Sequence, residues 1–262
     1  MVNVYKLQTS SDFTHEYNHA RWELQRRFLR FLLRTIGFTL LARVDGVYGL
    51  ENVPANGPAI LMINHIAFID PIVVLHVLPR NIIPLAKMEV YDYPIIGIFP
   101  RLWGVIPVRR EEVDRRAVQS VLRVLDAGEI VLVAPEGTRG PALKNAKEGI
   151  AYLGSRSGAP IIPVAIEGTE GQPALRFSKR WYGPGAEVRF GAPFRFRPEF
   201  RRARSEELRR MTDEAMYVLA ALLPPHRRGE YADLSRATTE SIEMLPANRI
   251  AKPEPPASIK PQ

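Results

Sequence analysis

Ala59-Ile60-Leu61-Met62-Ile63-Asn64-His65-Ile66-Ala67-Phe68-Ile69-Asp70-Pro71 is the stretch whose reading decides the fold. Its first five residues are an apolar run that reads as a buried strand. Pro71 suits a first helical turn, where its missing N–H would have no partner anyway. Asp70 just before it suits the N-cap, because a carboxylate accepts from free backbone N–H groups. His65 therefore falls where a strand ends, and Asp70 where the next element begins. In α/β folds that edge is where ligands and chemistry collect. A histidine with a carboxylate partner suits a general base. The spacing alone is a weak signal. It also fits a plain helix cap at Asp70 and a polar strand end at His65.

Working outward, residues 82–87 and 104–108 read as short strands, and 45–58 as a short strand and loop. Residues 130–134 and 160–166 are apolar without alternation, which marks strands covered on both faces. Helical segments lie between them. Residues 91–103 are apolar but broken by Pro94, Gly97 and Pro100, so an irregular helix is expected. Val118, Val121, Leu122 and Leu125 give 115–127 a helical period, with Gly128 as its stop. Residues 144–157 read as a further helix, and 187–196 as one or two final strands. Ser205 is expected to cap a helix running to about Leu223, with Glu206 and Glu207 in its first turn and Pro224-Pro225 ending it. This alternation predicts an α/β fold: a single domain with a mixed, largely parallel sheet flanked by helices.

A chain of 262 residues holds one such domain with a well-buried core. The absence of Cys excludes disulfides, thiolate metal sites and Cys nucleophiles. No metal-ligand cluster is visible. The formal net charge is +8, and of 36 basic residues only seven are Lys. That balance favours an anionic partner, such as phosphate groups, acidic lipid or nucleic acid. No nucleic-acid motif appears, which argues against the last. Residues 1–16 are polar and lack the apolar segment of a secretory signal.

Residues 21–43 predict an N-terminal amphipathic helix. Trp22, Leu29, Leu33, Ile36 and Leu40 share one face, and Arg26, Arg27, Arg30 and Arg34 gather on another. Its longest charge-free run, 35–42, is eight residues, against about 20 needed to span a bilayer. Such a basic helix either lies in the lipid interface or packs on the protein's own core with Arg on the wet side. The loop 171–185 interleaves Arg176, Lys179 and Arg180 with Phe177, Trp181 and Tyr182. It reads either as a solvated loop with packed aromatics or as a rim touching an anionic interface. The expected organisation is an N-terminal helical region over 1–43, a main α/β domain over 44–230 and an extension over 231–262. The extension carries five Pro in residues 246–262 and is expected to be disordered there.

Polar residues stand at four strand ends: Asn64-His65, Lys87, Arg109 and Glu136-Gly137-Thr138-Arg139. Gly137 lets backbone come close to a ligand, and Arg139 offers a planar fork suited to phosphate. An alternative for Arg139 is a structural salt bridge. Four blocks now carry a resemblance: Asn64-His65 with Asp70, 104–109, Pro135-Glu136-Gly137-Thr138-Arg139, and 159–165. In order and spacing the chain resembles the glycerolipid acyltransferases, in particular the bacterial 1-acylglycerol-3-phosphate acyltransferases, over about residues 45–230.

The resemblance implies that His65, held by Asp70, takes the proton from an acceptor hydroxyl that attacks an acyl thioester directly. It implies that Arg139, with Arg109 and Lys87, holds the acceptor's phosphate, and that Asn64, Glu136, Gly137 and Thr138 shape the site. It further implies a lysophospholipid acceptor, acyl-CoA or acyl-carrier protein as co-substrate with no other cofactor, and phosphatidic acid as product. The anionic cytoplasmic face of a bacterial plasma membrane is the implied location, with peripheral or monotopic attachment. Many relatives carry Ser or Thr and Trp after the Asn-His pair; here Ile66, Ala67, Phe68 and Ile69 are apolar, which implies a greasier wall. Another lysophospholipid or an amino-acid-based lyso-lipid as acceptor, or a non-catalytic membrane-binding role, are the competing readings.

Overall fold

The run 59–63 becomes a strand and lies in the middle of the sheet. The computed structural model describes residues 17–94, 97–109 and 114–246. Within them the strands are β1 (Val44–Tyr48), β2 (Ala59–Ile63), β3 (Ile82–Lys87), β4 (Ile106–Val108), β5 (Ile130–Val133), β6 (Ile161–Glu167), β7 (Ala186–Phe190), β8 (Phe194–Phe196) and β9 (Ile242–Met244). The helices are α1 (Glu23–Leu32), α2 (Phe38–Leu40), α3 (Asp70–Val77), α4 (Ile98–Trp103), α5 (Arg115–Asp126), α6 (Gly149–Ser157) and α7 (Ser205–Leu222).

The strands form one sheet in the order β1-β7-β6-β2-β5-β3-β4, with β8 and β9 branching from β6. β2 runs parallel to β5 and β6, β3 to β5 and β4, and β1 to β7; the pairings of β6 with β7 and β8, and of β8 with β9, are antiparallel. Ile60 stands opposite Val131 on one side and Ile161 on the other. Because pleating turns successive residues to opposite faces, Ile60 and Met62 enter the core under α5, α6 and α7. Leu61 and Ile63 enter a second core under α3 and the N-terminal segment. Both faces are covered, so the strand shows no polar alternation. The mixed, largely parallel sheet flanked by helices is the predicted architecture.

Four local expectations change. Asp70 does not cap α3: Ile69 holds the cap position and no side chain caps it. Its carboxylate turns back to the preceding loop, as described below. The helix expected from residue 144 begins only at Gly149, because the Lys144 N–H goes to a Glu136 oxygen (2.9 Å) and the Lys147 N–H to the Pro135 carbonyl (2.9 Å). Ser205 is the first residue of α7 rather than its cap; Glu207 reaches back to the Arg204 N–H at 2.7 Å. The boundary expected at 230 falls inside the fold. Buried Glu214 accepts from Thr238 Oγ1, the Glu240 and Ser241 N–H groups and Ser241 Oγ, and this fastens β9 against β8. The expected disorder from 246 falls almost wholly outside the described residues, as do residues 1–16 and Arg110.

A helix forms at the N-terminal segment, but its arginines do not all face solvent. Arg26 is buried, 1% exposed, and donates to the carbonyls of Trp103 (2.8 Å), Gly104 (3.1 Å) and His19 (3.1 Å) and to the Tyr17 hydroxyl (2.8 Å). Arg30 donates to the Pro79 carbonyl (2.9 Å), and Arg34 to those of His76 (3.1 Å) and Leu78 (2.5 Å). Apart from that of His19, these carbonyls lie at or just beyond the C-termini of α4 and α3, where helices leave acceptors unpaired and the dipole favours cations. Leu29 and Leu33 pack on the core, while Leu24, Phe28 and Phe31 point to solvent. The expected apolar face thus packs inward at Leu29 and Leu33, with Ile36 and Leu40 exposed, and the expected wet face is corrected at Arg26, which is buried.

Candidate active site

β2, β5 and β6 run parallel, so His65, Glu136 and Thr169 emerge at one edge of the sheet. Asn64 locks that edge. Its amide donates to the Ile166 carbonyl (2.9 Å) and accepts from the Ile166 N–H (2.8 Å), which carries the ladder one residue beyond β2. His65 then leaves the sheet in a tight loop whose centre is Asp70. One carboxylate oxygen, Oδ2, accepts from His65 Nδ1 (2.9 Å) and from the N–H groups of Ile66 (2.7 Å) and Ala67 (2.8 Å). The other, Oδ1, accepts from Thr169 Oγ1 at 2.6 Å. Asp70 and Thr169 are both fully buried. A buried carboxylate with four donors acts purely as an acceptor, so it keeps the His65 proton on Nδ1 and leaves Nε2 with a lone pair.

Glu136 fixes His65 from the other side. Its carboxylate accepts from the Lys144 N–H (2.9 Å) and from the backbone N–H of His65. The His65 carbonyl accepts from the Gly140 N–H at 2.9 Å. Burial pushes the Glu136 carboxyl above its ordinary range, against the lowering effect of those N–H groups. Gly137 turns the chain at φ 65°, a left-handed conformation that disfavours any side chain, and its N–H closes the turn on the Ala134 carbonyl (2.9 Å). Thr138 and Arg139 follow, both exposed.

These elements surround a cavity of about 1280 Å³. His65, Gly137, Thr138, Arg139, Arg109 and Lys87 all line it. Asn64, Asp70 and Glu136 stand behind the wall and hold its shape. Away from the cations the lining becomes apolar, with Phe68, Leu85, Val108, Leu122, Ile150 and Leu153. The volume exceeds the roughly 300–1,000 Å³ of small-ligand pockets. Arg115, Lys147 and Arg156 line it too, against Glu89, Asp114 and Glu148, so cations outnumber acids six to three. A base, an excess of cations and a long greasy wall in one cavity suit an amphiphile with an anionic head. No group of three or more metal-ligating side chains occurs among the described residues.

Comparison with known proteins finds relatives of this part of the chain. An acyltransferase family model matches residues 46–167. That span runs from β1 to the end of β6 and contains the whole His65–Asp70 and Glu136–Arg139 constellation. Residues 46–167 are thus similar to the acyltransferase family. The 1-acyl-sn-glycerol-3-phosphate acyltransferase of Bacillus subtilis is 31% identical over 123 residues, covering 47% of this chain and 62% of that protein. Its counterpart in Borreliella burgdorferi is 32% identical over 127 residues, 47% of this chain and 51% of that protein. The chain thus matches only about half to three-fifths of these relatives' length. The crystal structure of the 1-acyl-sn-glycerophosphate acyltransferase of Thermotoga maritima superposes with a TM-score of 0.55 at 25% identity, covering 76% of this chain and 80% of that one.

Two features of this site escaped the sequence reading. Thr169 lies two residues beyond β6, so applying strand-end logic to that strand would have found it. Arg227 had no such signal. It reaches across to Glu167 (3.1 Å), Glu170 and the Pro141 carbonyl (2.8 Å), while its own carbonyl accepts from the Leu143 N–H (2.8 Å). It thereby clamps the loop that follows Arg139 onto the end of β6. The two carboxylates beside it hold its guanidinium above its ordinary range, although burial opposes them as the largest influence.

Proposed function

We propose that the protein moves a fatty acyl group from an acyl thioester to the free hydroxyl of 1-acylglycerol-3-phosphate, giving phosphatidic acid. The observation that carries this reading is the His65–Asp70 pair opening into a cavity that also receives Lys87, Arg109 and Arg139. The acceptor's phosphate sits among these cations, and its hydroxyl is held against His65 Nε2. Holding the hydroxyl in place supplies the entropic part of catalysis. Nε2 removes the hydroxyl proton as the oxygen attacks the thioester carbonyl. The tetrahedral intermediate collapses, the C–S bond breaks, and the thiolate leaves with the proton returned by the imidazolium. General-base help of this kind contributes about 10²–10⁴-fold.

The donor is acyl-CoA or acyl-carrier protein, and the reaction so written needs no further cofactor. The apolar wall from Phe68 to Leu153 takes an acyl chain. The enzyme works as a peripheral or monotopic protein on the anionic cytoplasmic face of a bacterial plasma membrane. Leu24, Phe28 and Phe31 on α1, at 80%, 61% and 61% exposure, supply its apolar contact. No described helix is long and apolar enough to cross a bilayer.

The test is acyl transfer by the purified chain from acyl-CoA and from acyl-carrier protein. The acceptors are 1-acylglycerol-3-phosphate, other lysophospholipids and a monoacylglycerol without phosphate. Preference for the first supports the reading. Equal rates with the phosphate-free acceptor overturn the assignment of the three cations.

A further inference from the structure

The loop after Thr169 is built to hold apolar side chains outward. Arg180 closes its base by donating to the carbonyls of Gly168 (2.8 Å), Glu170 (2.5 Å) and Pro184 (2.8 Å). Ser178 Oγ accepts from the Trp181 N–H at 3.3 Å. On this closed frame Leu175, Phe177 and Tyr182 are 70%, 74% and 68% exposed. Phe177 has φ 73°, a left-handed conformation uncommon for a residue other than glycine and costly for a bulky one. A strained backbone that displays an aromatic ring to solvent points to a function for the ring. The Arg176 guanidinium lies 5.2 Å from the centre of that ring.

The loop does not stand alone. The Ala174 N–H donates to the Leu41 carbonyl (2.7 Å), the Arg176 N–H to that of Leu40 (2.9 Å), and Arg43 to that of Trp181 (3.1 Å). Exposed Leu175 and Phe177 are therefore continuous with exposed Ile36, Leu40 and Leu41 of the N-terminal segment. Neither segment carries an acidic residue: there is none between Glu23 and Asp45, nor between Glu170 and Glu187. Arg176 and Lys179 are exposed beside the rings. The nearest acids, Asp45 and Glu170, are paired with Arg43 and Arg227. Apolar side chains with unneutralised cations beside them complement an anionic lipid surface, where rings enter the interface and cations meet phosphates.

We propose that the 174–182 loop is a second lipid-contacting element that acts jointly with the N-terminal helix. Its base starts at Thr169, whose hydroxyl holds Asp70. Two contacts fix the tilt of the domain as one cannot, and this one ties that tilt to the edge of the sheet where His65 sits. The inference rests on the lipid acceptor proposed above, and the test separates the two.

The experiment compares the full chain with its Leu175→Ser/Phe177→Ser/Tyr182→Ser variant. Sedimentation with vesicles of phosphatidylglycerol and phosphatidylcholine measures binding. Transfer to 1-acylglycerol-3-phosphate is measured in vesicles and in detergent micelles. The expected result is vesicle binding weaker by about tenfold or more, bilayer activity reduced in parallel, and micellar activity within twofold of the parent. Unchanged vesicle binding overturns the proposal. So does a parent dimer that the variant converts to monomer with lipid binding intact, since the surface then receives a second copy. An equal fall in both assays also overturns it and leaves the loop a folding role. If the parent transfers no acyl group in micelles yet the variant loses vesicle binding, the loop assignment stands and the acyltransferase reading fails.

Discussion

Thr169→Val removes one hydroxyl and keeps the side-chain shape. The hydroxyl donates to Asp70 Oδ1 at 2.6 Å, with both residues fully buried. Oδ2 keeps its three donors, but Oδ1 loses the donor described for it and water has no access. A hydrogen bond to a charged group is worth about 1.5–3 kcal/mol. At about tenfold per 1.4 kcal/mol, kcat falls about 10–100-fold if that energy holds the carboxylate where it orients His65. KM for the lysophospholipid stays within about twofold, because Lys87, Arg109 and Arg139 reach the cavity from β3, β4 and the loop after β5. The assay is acyl transfer in detergent micelles, run beside thermal unfolding, for Thr169→Val and Thr169→Ser. The Ser variant, which keeps the donor, recovers most of kcat. Thr169 acts through Asp70 and is a positioning residue, so a lower melting temperature alone does not support the idea. A Val variant with parental kcat refutes it, and so does a Ser variant as impaired as Val.

Arg26→Ala strips donors from the Trp103, Gly104 and His19 carbonyls at a site 1% exposed. It lowers unfolding free energy by about 3 kcal/mol in urea titration, whereas exposed Arg27→Ala changes it by less than about 0.5 kcal/mol. Burial raises the Glu136 carboxyl above the ordinary 4.5. The folded protein therefore binds that proton more tightly than the unfolded chain does. This contribution is fully present below about pH 4.5 and is lost as pH rises through the raised value. Glu136→Gln, which cannot ionise, accordingly gains stability relative to the parent as pH increases from 4.5 to 8, measured by urea unfolding at several pH values. A difference that stays flat with pH contradicts the burial argument.

The strands covered on both faces were legible because apolar runs bounded by turn residues have few other fates. β2 and β3 span the residues that the pattern gave, and α5 ends just ahead of Gly128, which turns the chain at φ 81°. The candidate site was legible for the same reason: polar residues placed at the ends of parallel strands must share an edge. What stayed hidden depended on contacts between distant segments. Helical periodicity assigns residues to faces but does not say which face meets the protein, so the inward turn of Arg26 and the contacts of Arg30 and Arg34 awaited the carbonyls of α3 and α4. Asp70 looked like a helix cap because its rivals for the carboxylate, Thr169 above all, lie far along the chain. β9 is three residues long, too short for any period, and exists because Glu214 fastens the segment before it.

In the proposed reaction, His65 Nε2 is the base for acyl transfer to a lysophospholipid hydroxyl. The most direct measurement is phosphatidic acid formation from acyl thioester and 1-acylglycerol-3-phosphate by the purified chain and by His65→Ala, with the melting temperature of each recorded. A loss of about 10³-fold or more in kcat, at a melting temperature within a few degrees of the parent, is the predicted result. A folded His65→Ala protein that forms phosphatidic acid at the parental rate would contradict it.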